Sequence, residues 1–422
     1  MMKVFIFLIV FLNLSNEIIS EKCQGISQYN RCSVNPACGC LYSSFDTNNT
    51  ICGYLYTACS EFSACFNNNQ SCYYRDHVCI KHPRCSNNHP ICYPMRLASE
   101  AMCPSMFPST TTVPTLPIPD DGICANATWD TNGITVAGGN GRGSAINQLD
   151  DPKGIFVDDD DIIYIADANN HRVMKWIRGV SNGQVVAGGN GQGNRSDQLD
   201  RVSSLVVSQN GTMFICDQNN RRIQKWLKNN NQGQTLVMNV SCYGMAMDSE
   251  GSLYDSSYDD GRVSKWPHDQ LVAGGNGQGP NLDQLSNAVR LFVDQDHSVF
   301  VADSHNSRVM KWPVGAKQGI VVAGGNGRGS NNNQLNEPFA VVADRMGTVY
   351  VAEWGNQRVM RWFKDSKSGT VIIGGRGMGS QPYQLSRPKD LAFDRHGNLY
   401  VADTENFRVQ MFPIDKSSCL SS

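Results

Sequence analysis

One string occurs six times in the C-terminal two-thirds of the chain, and a chain that repeats itself at a nearly fixed period folds as successive copies of one unit. The segment "ADANNHRVMKW" at residues 166–176 comes back as "CDQNNRRIQKW" (216–226), "ADSHNSRVMKW" (302–312), "AEWGNQRVMRW" (352–362) and "ADTENFRVQMF" (402–412), with a degenerate copy, "SSYDDGRVSKW", at 256–266. The arginines at the common position, Arg172, Arg222, Arg262, Arg308, Arg358 and Arg408, are separated by 50, 40, 46, 50 and 50 residues.

Each copy has the same grammar. A short β-rich run such as "LAFD" (391–394) precedes a tight turn, "RHGN", and a second run, "LYVAD" (399–403). A D-x-x-N-x-R turn leads to a third run, "RVQMF", and an outer run such as "VVAGG" (321–325) completes the set. Short runs of β-branched and aromatic residues between Gly, Asn and Asp turns are strands of a meander. Four such strands per period, six times over, predict an all-β array of propeller blades.

Copies such as "GNLYVADTENFRVQMF" resemble the NHL repeat, and the resemblance runs from about Ile134 to Phe412. It implies a six-bladed NHL-type β-propeller. Blade three departs from the pattern: Ser257 stands where the turn Asp belongs, and the Gly-rich loop before its first strand is missing. Blade five carries Glu353 and Trp354 at the turn.

The register also indicates how the ring closes. An outer strand, "ITVAGG" from Ile134, precedes any inner strand, and the last copy stops after its third strand at Phe412. The N-terminal strand is therefore expected to complete blade six, leaving no open edge. Cys124 and Cys419 flank that strand pair at the same end and are expected to be bonded. The other propeller cysteines, Cys216 and Cys242, fall on one face in adjacent blades, where a bond is open to them.

The N-terminal third reads differently. Lys3, an apolar stretch from Val4 to Leu12 and the small Ser20 form a secretory signal over residues 1–20; the stretch is about half of what spans a bilayer. Residues 21–103 hold twelve of the sixteen cysteines. That density predicts a disulfide-stapled extracellular module, whereas zinc modules favour C-x2-C pairs and the spacings here are mostly longer. The segment "PSMFPSTTTVPTLPIPDDG" makes residues 104–121 an extended linker, followed by the propeller at 122–422. Sequons at Asn48, Asn69, Asn126, Asn194, Asn210 and Asn239 fit a secreted, extracellular glycoprotein. A net charge of −2 gives no basic field for a nucleic acid, and no segment suggests membrane attachment.

Candidate chemistry is sparse. The GGNGxG segments at Gly138, Gly188, Gly274 and Gly324, with "GGRGMG" at Gly374, enter strands rather than helices, so they read as flexible crossings between blades, not phosphate loops. The Asp and Arg of each D-x-x-N-x-R turn recur blade after blade, as blade-local structure does. The Trp176, Trp226, Trp266, Trp312, Trp362 and Phe412 series reads as inter-blade packing. Some secreted six-bladed NHL relatives are zinc lyases of amidated peptides, which need three histidines converging on the channel. Here His171, His268, His297, His305 and His396 all fall in turns, on two rims. The acidic run Asp158 to Asp161 lies at a strand turn and reads as solvated rather than as a calcium site like that of six-bladed lactonases.

No cofactor or metal is therefore expected, and the blade-specific departures mark the candidate binding face. Where the first strand of each blade begins, near the axis, these are Lys153, Tyr243, Arg290, Phe339, Lys389 and Asp390; in the loops of the same rim they are Trp354, Arg376 and Met378. The expectation is a secreted binding protein whose propeller face recognises an extracellular protein or glycan. The alternative is a secreted metal-dependent propeller enzyme, resembling the peptide-amidating lyases or the lactonases.

Overall fold

The computed structural model describes residues 38–42, 50–54, 59, 62–65, 72, 77–80, 82, 85, 90–94 and 123–420. The expected signal segment 1–20, the linker 104–121 and the sequons at Asn48 and Asn69 lie outside the described residues. Contacts divide the chain into two units at Pro114 and Thr115.

The second unit is a six-bladed β-propeller, each blade a four-stranded antiparallel meander. Blade one is Pro152–Val157, Ile162–Asp167, Arg172–Ile177 and Gln184–Gly188; blade four is Ala288–Val293, Val299–Asp303, Arg308–Trp312 and Ile320–Gly324. The six first strands contact one another in a closed ring around the axis. Burial on both faces drives the arrangement: Val299–Asp303, Val349–Glu353 and Leu399–Asp403 are buried along their whole length, because each blade turns an apolar face to each neighbour. Trp176 of blade one, for example, packs among Tyr400, Ala402 and Val409 of blade six. Its indole Nε1 donates to Val180 O (2.9 Å), so the buried ring leaves no orphan donor.

The ring closes as the register predicts. Ile134–Gly138 pairs with Arg408–Phe412, making the N-terminal strand the fourth of blade six. Cys124 and Cys419 are disulfide-bonded across this seam, 295 residues apart in sequence. Around the bond, Thr128–Trp129 pairs with Ile414–Asp415, and Trp129 Nε1 donates to Gly397 O (2.9 Å). The arm from Ile123 to Trp129 thus lies against the rim formed by the turns between first and second strands. Cys216 and Cys242 are also bonded, buried between blades two and three.

In the first unit, the pairs Cys38–Tyr42 with Thr50–Tyr54 and His77–Ile80 with Ile91–Pro94 form two short antiparallel ribbons. Disulfides join Cys59 to Cys85, Cys65 to Cys79 and Cys72 to Cys92. Among the described residues, the one His/Cys/Asp/Glu group with metal-ligand spacing is Cys65, Cys72, Cys79 and Cys92, and its sulfurs are taken up in two of these bonds.

Candidate binding face and the blocked channel

The D-x-x-N-x-R turn and the Gly-rich loop of each blade meet on one rim and are locked together. In blade one, Arg172 Nε donates to Asp167 Oδ2 (2.7 Å), while its Nη atoms donate to the carbonyls of Ser144, Ala145 and Gln148. Asn170 Nδ2 donates to Gly143 O, and Asp167 Oδ1 accepts from Asp150 N at 2.7 Å. Blades two and four repeat the set with Arg222 and Arg308. The Gly-rich loops are therefore tethered by side chains, a correction to their reading as flexible crossings; glycine is needed for the backbone path, with φ of 67° at Gly138 and 78° at Gly139. Burial pushes the carboxyls of Asp167, Asp217, Asp303 and Asp403 up, against the pull of the amides and guanidinium they accept from.

Blade three breaks the pattern. Three residues, Asn239 to Ser241, cross into it where each other blade uses thirteen. With no loop to hold, Arg262 turns outward and pairs with Asp269 Oδ1 (2.7 Å), and Ser257 Oγ bonds Asp260 Oδ2 instead. The missing loop leaves a notch in the rim beside Tyr243 and Tyr258, whose rings stack at 5.3 Å; Phe339 meets Tyr243 edge-on at 6.1 Å.

On this rim lie several of the expected residues and some that sequence reasoning missed. Lys153 is 4% exposed, donates from Nζ to Gln218 Oε1 (3.0 Å) and stands 5.5 Å from the Tyr243 ring. Burial pulls its ammonium down to about 7, opposed by Asp151. Lys389 Nζ pairs with Asp151 Oδ1 at 2.6 Å, and Arg201 reaches Asp151 Oδ2 at 3.3 Å. Burial would raise the Asp151 carboxyl, but Lys389, Lys153 and Arg201 outweigh it and hold it below its ordinary value. Trp354 is half-buried under the Arg387 guanidinium, 4.4 Å from its ring. Arg376 and Met378 are exposed on the blade-six loop, Arg376 over the ring of Tyr383. Asp151, Arg201 and Arg387 share one repeat position, 21 residues before the repeat arginine, and differ from blade to blade. That variation was the available signal.

Arg290 and Asp390 lie elsewhere than the expected rim. Both are buried in the throat of the channel, 3% and 8% exposed. Arg290 Nη1 donates to Tyr243 O (2.8 Å), Nη2 to Lys153 O and Ser203 O (both 2.7 Å), and Nε stands 3.2 Å from Asp390 Oδ2. Asp390 Oδ2 in turn accepts from Ile155 N at 2.9 Å. First strands have no partner on their axial edge, so their inward backbone groups need bonds from elsewhere. One guanidinium answers three blades, and one carboxylate answers blade one. At the same repeat position the other blades carry Gly154, Ser204, Gly244 and Ala340, because only one long side chain fits on the axis. A Cβ on Gly154 would come within 2.9 Å of Ser203 O and 3.2 Å of Arg290 Nη2.

The histidines sit apart. His171 accepts from Arg201 N at Nδ1, and His305 contacts Asn287, both on the notched rim; His297 faces Asp248 and Glu250, and His396 faces Asp161, on the opposite one. The sequon residues Asn126, Asn194, Asn210 and Asn239 are all exposed.

Residues 149–176 and 385–412, in blades one and six, match the NHL repeat family. No curated protein matches the chain. Among solved structures, an auxiliary nutrient binding protein from Bacteroides ovatus is similar at 12% identity, with 69% of this chain and 78% of that one covered and a TM-score of 0.52. A second such protein from Bacteroides thetaiotaomicron matches at 14% identity over 68% and 76% of the two chains, with a TM-score of 0.51. A structural genomics protein of unknown function from the latter organism matches at 12% identity over 69% and 77%, with a TM-score of 0.53. At these identities the likeness establishes the propeller fold and nothing finer.

Proposed function

We propose that this propeller of NHL-type repeats belongs to a secreted glycoprotein that binds an extracellular protein or glycan through the rim carrying the Gly-rich loops. The observation that supports it most is the blade-three notch. Five thirteen-residue loops held by buried Arg and half-buried Asn side chains make a rigid wall, and the missing sixth opens it beside Tyr243 and Tyr258. Rigid aromatic surface next to fixed charge binds at low entropic cost. The opposite rim carries the chain's own arm, Ile123 to Trp129. Secretion rests on the signal-like N-terminus and the disulfides, and glycosylation on four exposed sequons.

The test is capture by the secreted, tagged full chain, with the Ala variants of Tyr258 and Trp354 compared with those of His297 and His396. The first pair is expected to weaken capture at least tenfold with the fold intact, since rim positions add little to the inter-blade core. Unchanged capture by the first pair and loss with the second would place the interface on the other rim. Arg290 is unsuitable for this test, because its substitution would disturb the throat.

A further inference from the structure

Below the Arg290–Asp390 pair, on the rim away from the proposed binding face, the channel widens into a cavity of about 470 Å³ closed at its inner end. That volume is in the range of small-molecule sites. Phe156, Phe292, Val342 and Phe393 line it, and Ile123, pinned by the neighbouring Cys124–Cys419 bond, forms part of its lip.

Two features give this cavity a chemical preference. At the closed end, Arg290 Nε is buried and makes no hydrogen bond: Asp390 Oδ2 is 3.2 Å away but outside bonding geometry. The guanidinium's other contacts are to the carbonyls of Tyr243, Lys153 and Ser203 and to the Tyr243 ring, 5.7 Å from its centre, and it also lines the cavity, where it can meet an occupant. At the open end, five carboxylates, Asp158, Asp159, Asp294, Asp344 and Asp394, line the mouth with two guanidinium groups, Arg345 and Arg395, and the Lys311 ammonium stands 3.6 Å from Asp294 Oδ2, so negative charge is in excess. Several of these carboxylates also accept turn amides, as Asp158 Oδ1 does from Asp160 N and Ile162 N, which fixes their position without removing their charge. An anion would be repelled at the mouth. A purely apolar molecule would leave the mouth charge unused, and a small hydrophilic cation would not fill the walls.

We infer that this cavity binds a small aryl-alkyl amine, its aromatic ring inserted among the phenylalanines against the Arg290 guanidinium and its ammonium left among the carboxylates of the mouth. The ring's π face accepts the unmade Nε–H interaction and the guanidinium's charge. The ammonium keeps its water on one side and gains the mouth's field on the other.

The experiment is calorimetric titration of the full chain with 4-phenylbutylamine, and with 4-phenylbutanol, 4-phenylbutyrate and 4-cyclohexylbutylamine as matched probes. The amine is expected to bind at least tenfold more tightly than the alcohol at low ionic strength, the butyrate more weakly still, and the cyclohexyl amine several-fold more weakly than the phenyl one. Raising the salt narrows the first gap. Ala246→Phe and Val342→Phe fill the cavity from two different blades without removing a hydrogen bond; each is expected to lower amine affinity tenfold or more while the thermal midpoint stays close to the parent's. The double change Asp159→Asn and Asp294→Asn is expected to reduce the amine-to-alcohol ratio several-fold. The inference is overturned if no probe binds, if amine and carboxylate bind alike, or if a folded cavity-filling variant binds the amine as well as the parent does.

Discussion

Replacing Arg290 by Met keeps most of the side-chain volume on the axis and removes the charge and every donor. Three carbonyls, of Lys153, Ser203 and Tyr243, lose their bond, and Asp390 becomes a buried carboxylate without its cation. Hydrogen bonds to a charged group contribute about 1.5–3 kcal/mol each, and breaking a buried ion pair from one side costs about 3–5 kcal/mol. These overlap, since they describe one side chain and the cavity below admits water, so a total of about 4–6 kcal/mol is reasonable. Unfolding entropy near 2.1 cal/mol/K per residue over roughly 300 residues makes each kcal/mol worth about 1.6 °C, so the midpoint should fall by about 6–10 °C. Scanning calorimetry with the disulfides intact measures it. Arg290→Lys, a point charge that cannot fork to three acceptors, should fall in between. Removing both partners, as in Arg290→Met with Asp390→Leu, should recover part of the loss because no unpaired charge remains. A midpoint within 2 °C of the parent for Arg290→Met would refute the idea that the throat depends on this pair.

Other consequences follow from particular blades. Arg172→Gln, which unties a loop and orphans Asp167, should cost about 3–5 kcal/mol, whereas Arg262→Gln in blade three, whose pair with Asp269 is solvent-exposed, should cost less than about 1 kcal/mol; chemical unfolding of the two variants checks the contrast. Asp255 stands where other blades have Ile or Val and accepts from Trp266 Nε1 at 2.6 Å; burial raises its carboxyl to about 6. Its folded value exceeds the ordinary 3.8, so its contribution favours folding below pH ~4 and is lost as pH rises through about 6; Asp255→Asn should therefore be more stable than the parent by about 1–3 kcal/mol at pH 7 and equal to it near pH 4. Lys153→Met should likewise stabilise the propeller below pH ~7, where the folded parent must hold a buried ammonium, with the gain shrinking between pH ~7 and ~10. Converting Cys124 and Cys419 to Ser opens a 295-residue loop in the unfolded chain and should cost about 5–6 kcal/mol, read from urea unfolding; peptide mapping of the parent should recover the two joined.

Blade number, strand order, the closing strand and the Cys124–Cys419 bond were legible because each is a matter of register, and an internal repeat states its register six times. Depth is another matter. Arg290 and Asp390 stand out from Gly154, Ser204, Gly244 and Ala340 just as a surface contact would, and the repeat shows that they differ without showing that six strand edges converge there on one axis. The tethering of the loops is hidden for a related reason: the D-x-x-N-x-R spacing sets the Arg beside the Asp five residues before it, while its bonds to Ser144, Ala145 and Gln148 reach back across 24 to 28 residues. In the cysteine-rich unit, near-regular spacing of six or seven residues fits many pairings, and only the fold selects Cys59 with Cys85, Cys65 with Cys79 and Cys72 with Cys92. The notch was half visible, as a missing loop before Tyr243; Tyr258, which completes its aromatic wall, comes from the blade's degenerate turn.

Docking of a partner on the notched rim can be read by site-specific photo-crosslinking in the secreted full chain, with p-benzoylphenylalanine placed at Tyr258 or Trp354 on that rim and at His297 or His396 on the other. One defined partner should be crosslinked from both positions of the first rim, and the crosslink should be lost when blade three is given a thirteen-residue loop copied from blade four. Crosslinking of the same partner from His297 or His396 alone, or its persistence after the notch is filled, would contradict docking on the notched rim.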